Sequence, residues 1–452
     1  MEEFMNNSFT EGPIYRPLIK FALPILAALF LQTMYGAVDL LIVGMYASPA
    51  DVSAVSTGSW LMQLVTVLVT GTATGSTILL GRSIGAKRPQ LGTAIANNTI
   101  VLFLGMGIAF TIVLLGTIDQ LTSLMHAPAE AYAQTGSYLG ISAAGTLFII
   151  AYNVLGAIFR GIGNSTIPFL TVLIACIFNV IGDYILVAKF NMAASGAAIA
   201  TVVAQALSVV ISLAIIKRHP LPFPFHFTKA SIKLQEIMSI VKLGFPIAIQ
   251  GVLVGISFLA IQAIVNALGV IPSAGVGIAE KLCGFIMLVP MSFSQSVASF
   301  TAQNLGAQKP ERARKALLYS IGTSLLVGII MGYTTFFYGD YMSMPFTTDP
   351  AVVQASFDYL KAYALDCFFV SFLFCLIGFF TGCGHTRFVM LQGIVGSFGV
   401  RIPVPYYMST LEPVSIFKLG LATPASSLVQ IIMCFIFFYY LKKYHWAKNV
   451  AA

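Results

Sequence analysis

Charged residues are scarce in this chain of 452 residues, and their scarcity decides its class. Asp, Glu, Lys and Arg together make up 9% of the sequence, whereas 58% of it is hydrophobic. A soluble globular domain carries about 25% charged residues, so this chain lacks the polar groups that would cover a surface in water. The composition excludes a soluble enzyme, a disordered chain and a nucleic-acid-binding domain, and it leaves a protein with many membrane spans.

Cysteine and histidine are also few, and they are not grouped. The six cysteines lie apart in apolar stretches, no CxxC pair occurs, and the five histidines do not cluster with them. We interpret the cysteines as small hydrophobic residues and expect no metal centre, cofactor or enzyme activity. The first residues, MEEFMNNSFTEG, lack the basic and then apolar pattern of a signal peptide, so we expect the first span to be retained.

Long apolar runs recur along the whole chain. A spanning helix needs about 20 mostly apolar residues, whereas transmembrane strands alternate over about 10 residues. These runs are too long and too continuously apolar to be strands. The sequence therefore predicts an all-α membrane protein with twelve transmembrane helices. Their approximate bounds are 17–45, 54–80, 94–117, 132–158, 166–188, 194–216, 241–268, 276–300, 317–338, 356–380, 388–408 and 418–441.

The basic residues are distributed unevenly between the two sets of loops. With both termini on one side, the segments on that side carry 19 of the 24 Lys and Arg residues, and the opposite loops carry three. Cytoplasmic loops are enriched in Lys and Arg. The pattern predicts a multi-pass protein of a prokaryotic plasma membrane with both termini in the cytoplasm, and it explains the net charge of +8 without nucleic acid.

The two halves of the chain are related in sequence. Three segments of the first half recur at an offset of 221 or 222 residues: LIKFALPI as IVKLGFPI, IGAKRP as LGAQKP, and FRGIGNS as FTGCGHT. A constant offset indicates duplication of a six-helix unit. We predict two six-helix bundles related by an internal repeat, at 1–216 and 241–452, joined by a Pro-rich, basic cytoplasmic linker at 217–240. In the bundles, Gly71–xxx–Gly75 and Gly251–xxx–Gly255 are typical of close helix packing.

Asp39, Asp183, Glu280 and Asp366 are acidic residues inside the predicted spans, whereas Asp358 lies at the outer end of its span. A carboxylate at bilayer depth costs about 2.5–3.5 kcal/mol, and such residues usually face a cavity, an ion path or a substrate path. Asp39 and Asp183 are each about five residues from the outer end of a span that runs outward, so we expect them at similar depth.

Polar residues accompany this acidic pair. Asn179 precedes Asp183 by four residues and Tyr35 precedes Asp39 by four, so each shares a helix face with its acid, and Thr201 is expected at the same level. Carboxylate, amide and hydroxyl oxygens suit a small cation, and buried carboxylates also accept protons. The residues leave H⁺ and Na⁺ both open.

The acidic pair has no counterpart in the second half, where the repeat places Ile261 and Val404. We therefore expect the site to belong to the first half alone. Pro24 shares a helix with Asp39, and we predict that it is a hinge.

The twelve spans, the six-plus-six repeat, Pro24 and GRSIGAKRP after the second span together resemble the multidrug and toxic compound extrusion (MATE) family of cation-coupled drug exporters. The resemblance implies a secondary active antiporter that exports organic, often cationic or amphipathic compounds in exchange for H⁺ or Na⁺. We expect a small-molecule substrate, a lipid bilayer around the protein, no cofactor beyond the coupling ion, and function as a monomer.

The set Asp39, Asn179, Asp183 and Thr201 resembles the cation site in the N-terminal lobe of the branch related to DNA-damage-inducible exporters. By that resemblance the two acids couple transport to the ion, Asn179 and Thr201 are supporting ligands, and Tyr35 lines the substrate cavity. The first helix would bend at its proline as the acids titrate.

The second half keeps several charged residues that this resemblance does not explain. We interpret Asp366 and Arg401 as a structural ion pair and leave Glu280 and Lys281 unassigned. The alternative function is a flippase or exporter of a lipid-linked or endogenous metabolite. It is disfavoured because basic residues within the predicted spans, among them Lys281 and Arg401, are too few for a cationic cavity.

Overall fold

The computed structural model describes residues 9–223 and 232–444. Helices follow one another throughout these residues, and no strand occurs among them. In this part of the chain, eleven helices are long and apolar enough to cross a membrane, and one bent helix pair brings the number of candidate spans to twelve. The prediction of an all-α membrane protein with twelve transmembrane helices is confirmed.

Eight α-helices form the first half. They are α1 (Tyr15–Tyr46), α2 (Pro49–Gly85), α3 (Pro89–Gly116), the short α4 (Ile118–Leu124), α5 (Tyr132–Ala144), α6 (Thr146–Gly161), α7 (Thr166–Asp183) and α8 (Ala193–Arg218). A π-helical segment, Tyr184–Lys189, continues α7.

The second half is built in the same way. Its helices are α9 (Leu234–Asn266), α10 (Val270–Gly306), α11 (Pro310–Ser343), α12 (Pro350–Gly382), α13 (Thr386–Gly396), α14 (Pro403–Ser409), α15 (Ile416–Gly420) and α16 (Ala422–Tyr444). The π-helical segment Ser397–Arg401 lies between α13 and α14, at a place that the repeat relates to residues 176–180 inside α7.

Proline and a capping residue determine where several helices begin. Proline is the first residue of α2, α3, α11, α12 and α14, a position where its missing N–H costs no hydrogen bond. At the start of α2, the Asp51 carboxylate accepts hydrogen bonds from the backbone N–H and the hydroxyl of Ser48, at 3.1 and 2.6 Å. The Ser48 hydroxyl in turn accepts from the Asp51 N–H. This reciprocal cap fixes the first turn.

The fourth span is bent, although the sequence predicts one continuous helix over 132–158. The segments Ala129–Ala144 and Thr146–Gly161 meet at an angle of 53°. Gly145 lies between them, and a Cβ there would overlap the side chain of Val202 on α8. The close approach of α8 explains why this residue is glycine.

The chain divides into two compact units. The first includes the described residues of Leu23–Ala248, and the second includes Phe9–Ala22 and the described residues from Ile249 onward. Each unit has a buried apolar core. In the first, Val69, Phe103, Ile150, Val154 and Phe159 belong to this core. In the second, it includes Ile261, Ile286, Tyr359, Leu360 and Tyr363.

The predicted linker at 217–240 is described only in part, since residues 224–231 lie outside the described residues. Of its two described ends, Phe223 and Ile240 are buried in the core of the first unit. The assignment of 1–216 and 241–452 as domains stays a prediction.

Close backbone packing holds the beginning of α9 against α2 within the first unit. A Cβ on Gly71 would overlap Ala248, and one on Gly75 would overlap Ile240. The prediction that Gly71 and Gly75 form a close-packing face is confirmed. The same prediction is wrong for Gly255, where a Cβ would meet no atom within 4 Å.

Candidate functional site

The two acids of the first half meet inside the first unit. Asp39 lies on α1 and is 6% exposed, and Asp183 is the last residue of α7 and is 0% exposed. The two carboxyl groups are close enough to interact electrostatically with each other. Residues 144 positions apart in sequence thus form one buried pair.

Asn179 and Thr201 complete the cluster in a continuous hydrogen-bonded row. The Thr201 hydroxyl on α8 donates to Asp39 Oδ2 at 3.2 Å. The Asn179 amide on α7 donates to Thr201 Oγ1 at 3.3 Å. The structure therefore brings together all four residues that were predicted to form the cation site.

Most carboxylate oxygens of the pair lack hydrogen-bond donors. Oδ1 of Asp39, both carboxylate oxygens of Asp183 and Oδ1 of Asn179 are buried and accept no hydrogen bond from any described residue. Two adjacent carboxylates without donors are costly to keep ionised away from water, because desolvation and mutual repulsion both act against charge. A bound proton or a small cation would remove this cost.

The donor set limits what kind of cation fits. Among the described residues, no group of three or more His, Cys, Asp or Glu side chains is placed to hold a metal ion. Two carboxylates with one amide and one hydroxyl offer only oxygen ligands, which suit hard monovalent cations and protons better than transition metals.

A small cavity adjoins the cluster. Its lining includes Tyr35, Tyr152, Asn179, Thr201 and Gln205, and it has room for about one water molecule. Tyr35, predicted to line the substrate cavity, is therefore next to the acids but in a space far smaller than an organic compound. Its role toward substrate stays a prediction.

Three residues beside the cluster were missed by sequence reasoning. The Gln32 amide donates to the Tyr152 hydroxyl at 2.8 Å, and Tyr138 lies within electrostatic reach of both acids. Gln32 precedes Asp39 by seven residues, two helical turns, so helical periodicity was a signal for it. Tyr138 and Tyr152 carried no such signal, because they reach the cluster from the bent fourth span.

Pro24 lies inside α1, which continues without interruption from Tyr15 to Tyr46. It follows directly the point between Ala22 and Leu23 where the chain passes from one compact unit to the other. Its function as a hinge stays a prediction.

The predicted ion pair in the second half is wrong. Asp366 and Arg401 are 0% and 5% exposed, but the two described side chains do not come within the 4.0 Å of an ion pair. Arg401 instead bonds to the Ser257 hydroxyl at 3.4 Å and lies over the Phe258 ring at 4.7 Å. Two favourable contacts with α9 thus hold the guanidinium away from the carboxylate. Glu280 is half-buried, Lys281 is exposed, and neither acquires a role.

Comparison with known proteins identifies the fold and the family. The family model MatE matches residues 24–185 and again residues 246–407, once in each half. The "Probable multidrug resistance protein YpnP" of Bacillus subtilis (strain 168) is 24% identical over 395 residues, which cover 87% of this chain and 88% of that protein. The "Multidrug export protein MepA" of Staphylococcus aureus (strain MRSA252) is 25% identical over 414 residues, 89% of each.

Solved structures share the whole architecture. The crystal structure of a MATE protein in the straight conformation superposes with a TM-score of 0.91 at 19% identity, covering 97% of this chain and 99% of that one. An outward-facing multidrug resistance MATE family transporter gives a TM-score of 0.90 at 18% identity, covering 96% and 97%. These likenesses confirm the fold, and the doubled match of the family model confirms the internal repeat. The chain belongs to the MatE family of multi-pass membrane transporters.

Proposed function

We propose that this chain exports organic, often cationic or amphipathic compounds across the plasma membrane of a bacterium or archaeon, in exchange for an inward-moving H⁺ or Na⁺. The relatives named for multidrug resistance and multidrug export support the substrate class. The observation that carries the exchange mechanism is the buried pair of Asp39 and Asp183, which lacks donors for its charge.

The pair couples the two transport steps because a cationic compound and the coupling ion compete for the same negative charge. When it is ionised, its negative charge attracts a cationic compound toward the first unit. When a proton or a sodium ion enters, that charge is neutralised and the attraction is lost. Thr201 and Asn179 hold the acids in place for both states, since their hydrogen bonds need no rearrangement of the backbone.

We further propose the arrangement around this site. The two lobes are residues 1–216 and 241–452, both termini are cytoplasmic, and the protein works as a monomer. Its site is that of the branch related to DNA-damage-inducible exporters. Support comes from the basic residues of the predicted cytoplasmic segments, from the four clustered residues, and from the apolar character of Ile261, which is buried in the core of the second unit.

The test measures dye transport into everted membrane vesicles that carry the protein. Ethidium is the probe, and a proton gradient or a sodium gradient is imposed separately. We expect one gradient to drive accumulation in the wild type, and Asp39→Asn and Asp183→Asn to abolish it at normal expression. The matched control is Ile261→Val, which changes the repeat-related position of Asp39 and should transport normally. Full accumulation by both Asn variants would contradict the proposed coupling site.

A further inference from the structure

Within the first unit, polar side chains continue from the acidic pair toward the amino-terminal end of α1. On α1, Gln32, Tyr35 and Asp39 follow each other at spacings of three and four residues, so they form one stripe. The stripe descends about 10 Å from Asp39 to Gln32, at 1.5 Å per residue. It points toward the end of α1 that carries the amino terminus.

The small cavity joins this stripe to α6. The Tyr35 hydroxyl faces Gln205 and lies within electrostatic reach of both Tyr152 and Asp39. Tyr152 lines the same cavity as Asn179 and Thr201, and its hydroxyl is fixed by Gln32 at 2.8 Å. A water molecule in the cavity would therefore touch Thr201, whose hydroxyl donates to Asp39, on one side and Tyr152 on the other.

The path ends at a charged residue. Arg160 follows Tyr152 by eight residues on α6, but its guanidinium folds back to Gly156, about 6 Å beyond Tyr152 along the helix. The charged groups beside the path are thus Asp39 and Asp183 at one end and Arg160 at the other.

We propose that Tyr152, positioned by Gln32, is the group through which a proton leaves the acidic pair toward the cytoplasmic side. This inference rests on the proposed function and on the orientation proposed with it. Protonated Asp39 gives its proton to the Thr201 hydroxyl, which releases its own proton to the cavity water, and the water in turn gives one to the Tyr152 hydroxyl. Tyr152 releases its own proton toward the inner side, so no charge remains on Thr201, the water or Tyr152.

The residues along the path have different roles because their side chains differ in their ability to pass on a proton. Hydroxyl groups and water both accept and donate a proton, whereas an amide holds its neighbours without passing protons on. Gln32 is therefore a positioning residue, and Asn179 and Gln205 fix the water.

The test separates proton release from substrate binding. Purified protein in liposomes is assayed for ethidium uptake against its gradient, for the accompanying proton flux with an enclosed pH-sensitive dye, and for ethidium counterflow without a pH gradient. Counterflow returns the carrier with substrate bound, so it does not require a proton to leave. Tyr152→Phe keeps the ring and removes only the hydroxyl.

We expect Tyr152→Phe to slow uphill uptake and proton flux by about tenfold or more, while counterflow and ethidium affinity at high pH stay at wild-type levels. Gln32→Leu should show the same pattern in weaker form. The matched control is Tyr132→Phe, whose hydroxyl contacts Ser123 and the Asp119 carbonyl at an exposed position and whose loss should change neither rate.

Two results would overturn the inference. One is an unchanged proton flux in both Tyr152→Phe and Gln32→Leu. The other is a parallel loss of counterflow and uphill uptake, which would assign Tyr152 to packing. Neither result would contradict the proposed function, which is tested separately in the same liposomes by whether Asp39→Asn abolishes coupled flux.

Discussion

At the residue scale, the chemistry of the site depends on two carboxyl groups that share one buried space. The Thr201 bond to Asp39 at 3.2 Å is the only hydrogen bond that either acid receives from the described residues. Each proton or cation that enters therefore changes the local charge by a full unit, with little compensation by donors. Such a pair takes up protons as a coupled system and not as two independent groups.

The binding of a cationic compound should follow that charge. We expect ethidium affinity for the purified wild type to fall as pH decreases from about 8 to about 5.5, since protons then neutralise the pair that attracts the dye. Asp39→Asn should flatten this dependence, because one of the two interacting acids is gone. Fluorescence titration at fixed ionic strength measures both. If the ethidium affinity does not change with pH but falls with added sodium chloride, relative to choline chloride, sodium is the ion that competes with the dye.

At the element scale, helices approach each other where glycine allows it. A Cβ on Gly244 of α9 would overlap the backbone of Thr72 on α2, whereas Gly255 on the same helix has open space. At the bend of the fourth span, Gly145 likewise allows Val202 of α8 to approach closely.

These two glycines give a matched pair of substitutions. Gly244→Ala should lower the free energy of unfolding by about 1–3 kcal/mol, because α2 and α9 must move apart to admit a methyl group. Gly255→Ala should be neutral or slightly stabilising, since alanine favours the helix by up to about 1 kcal/mol. Thermal unfolding in detergent compares the two variants. Equal effects would show that the packing of α2 on α9 is looser than the structure indicates.

At the scale of the whole molecule, the twelve spans and the site were predictable because their signals lie in neighbouring residues of the sequence. Asp39 and Asp183 are charged residues within apolar runs, and helical periodicity adds Asn179. The bend at Gly145, the bond from Gln32 to Tyr152 and the separation of Asp366 from Arg401 were not predictable. They depend on which side chains of distant helices meet, and no periodicity in the sequence records that.

Topology is the remaining prediction at this scale. A reporter joined after residue 225 should lie in the cytoplasm, and one joined near residue 350 should lie outside the cell. The reason is the excess of Lys and Arg in the segments assigned to the inner side. Paired fusions to alkaline phosphatase and a cytoplasmic fluorescent protein measure the two locations. Reversed activities would invert the membrane orientation and the direction of the proton path.

The division of α1 and α9 between the compact units has a consequence for any attempt to produce the two halves separately. The first turns of α1 belong to the second unit, and the first half of α9 belongs to the first unit. The two arms are copies of each other in the repeat. Arg312 fastens one arm through hydrogen bonds to the carbonyl groups of Phe9, Glu11, Gly12 and Pro13. A gene cut at the linker would leave the first fragment without the beginning of α9, which packs on Gly71 and Gly75 of α2, and it would separate Arg312 from the arm that it holds.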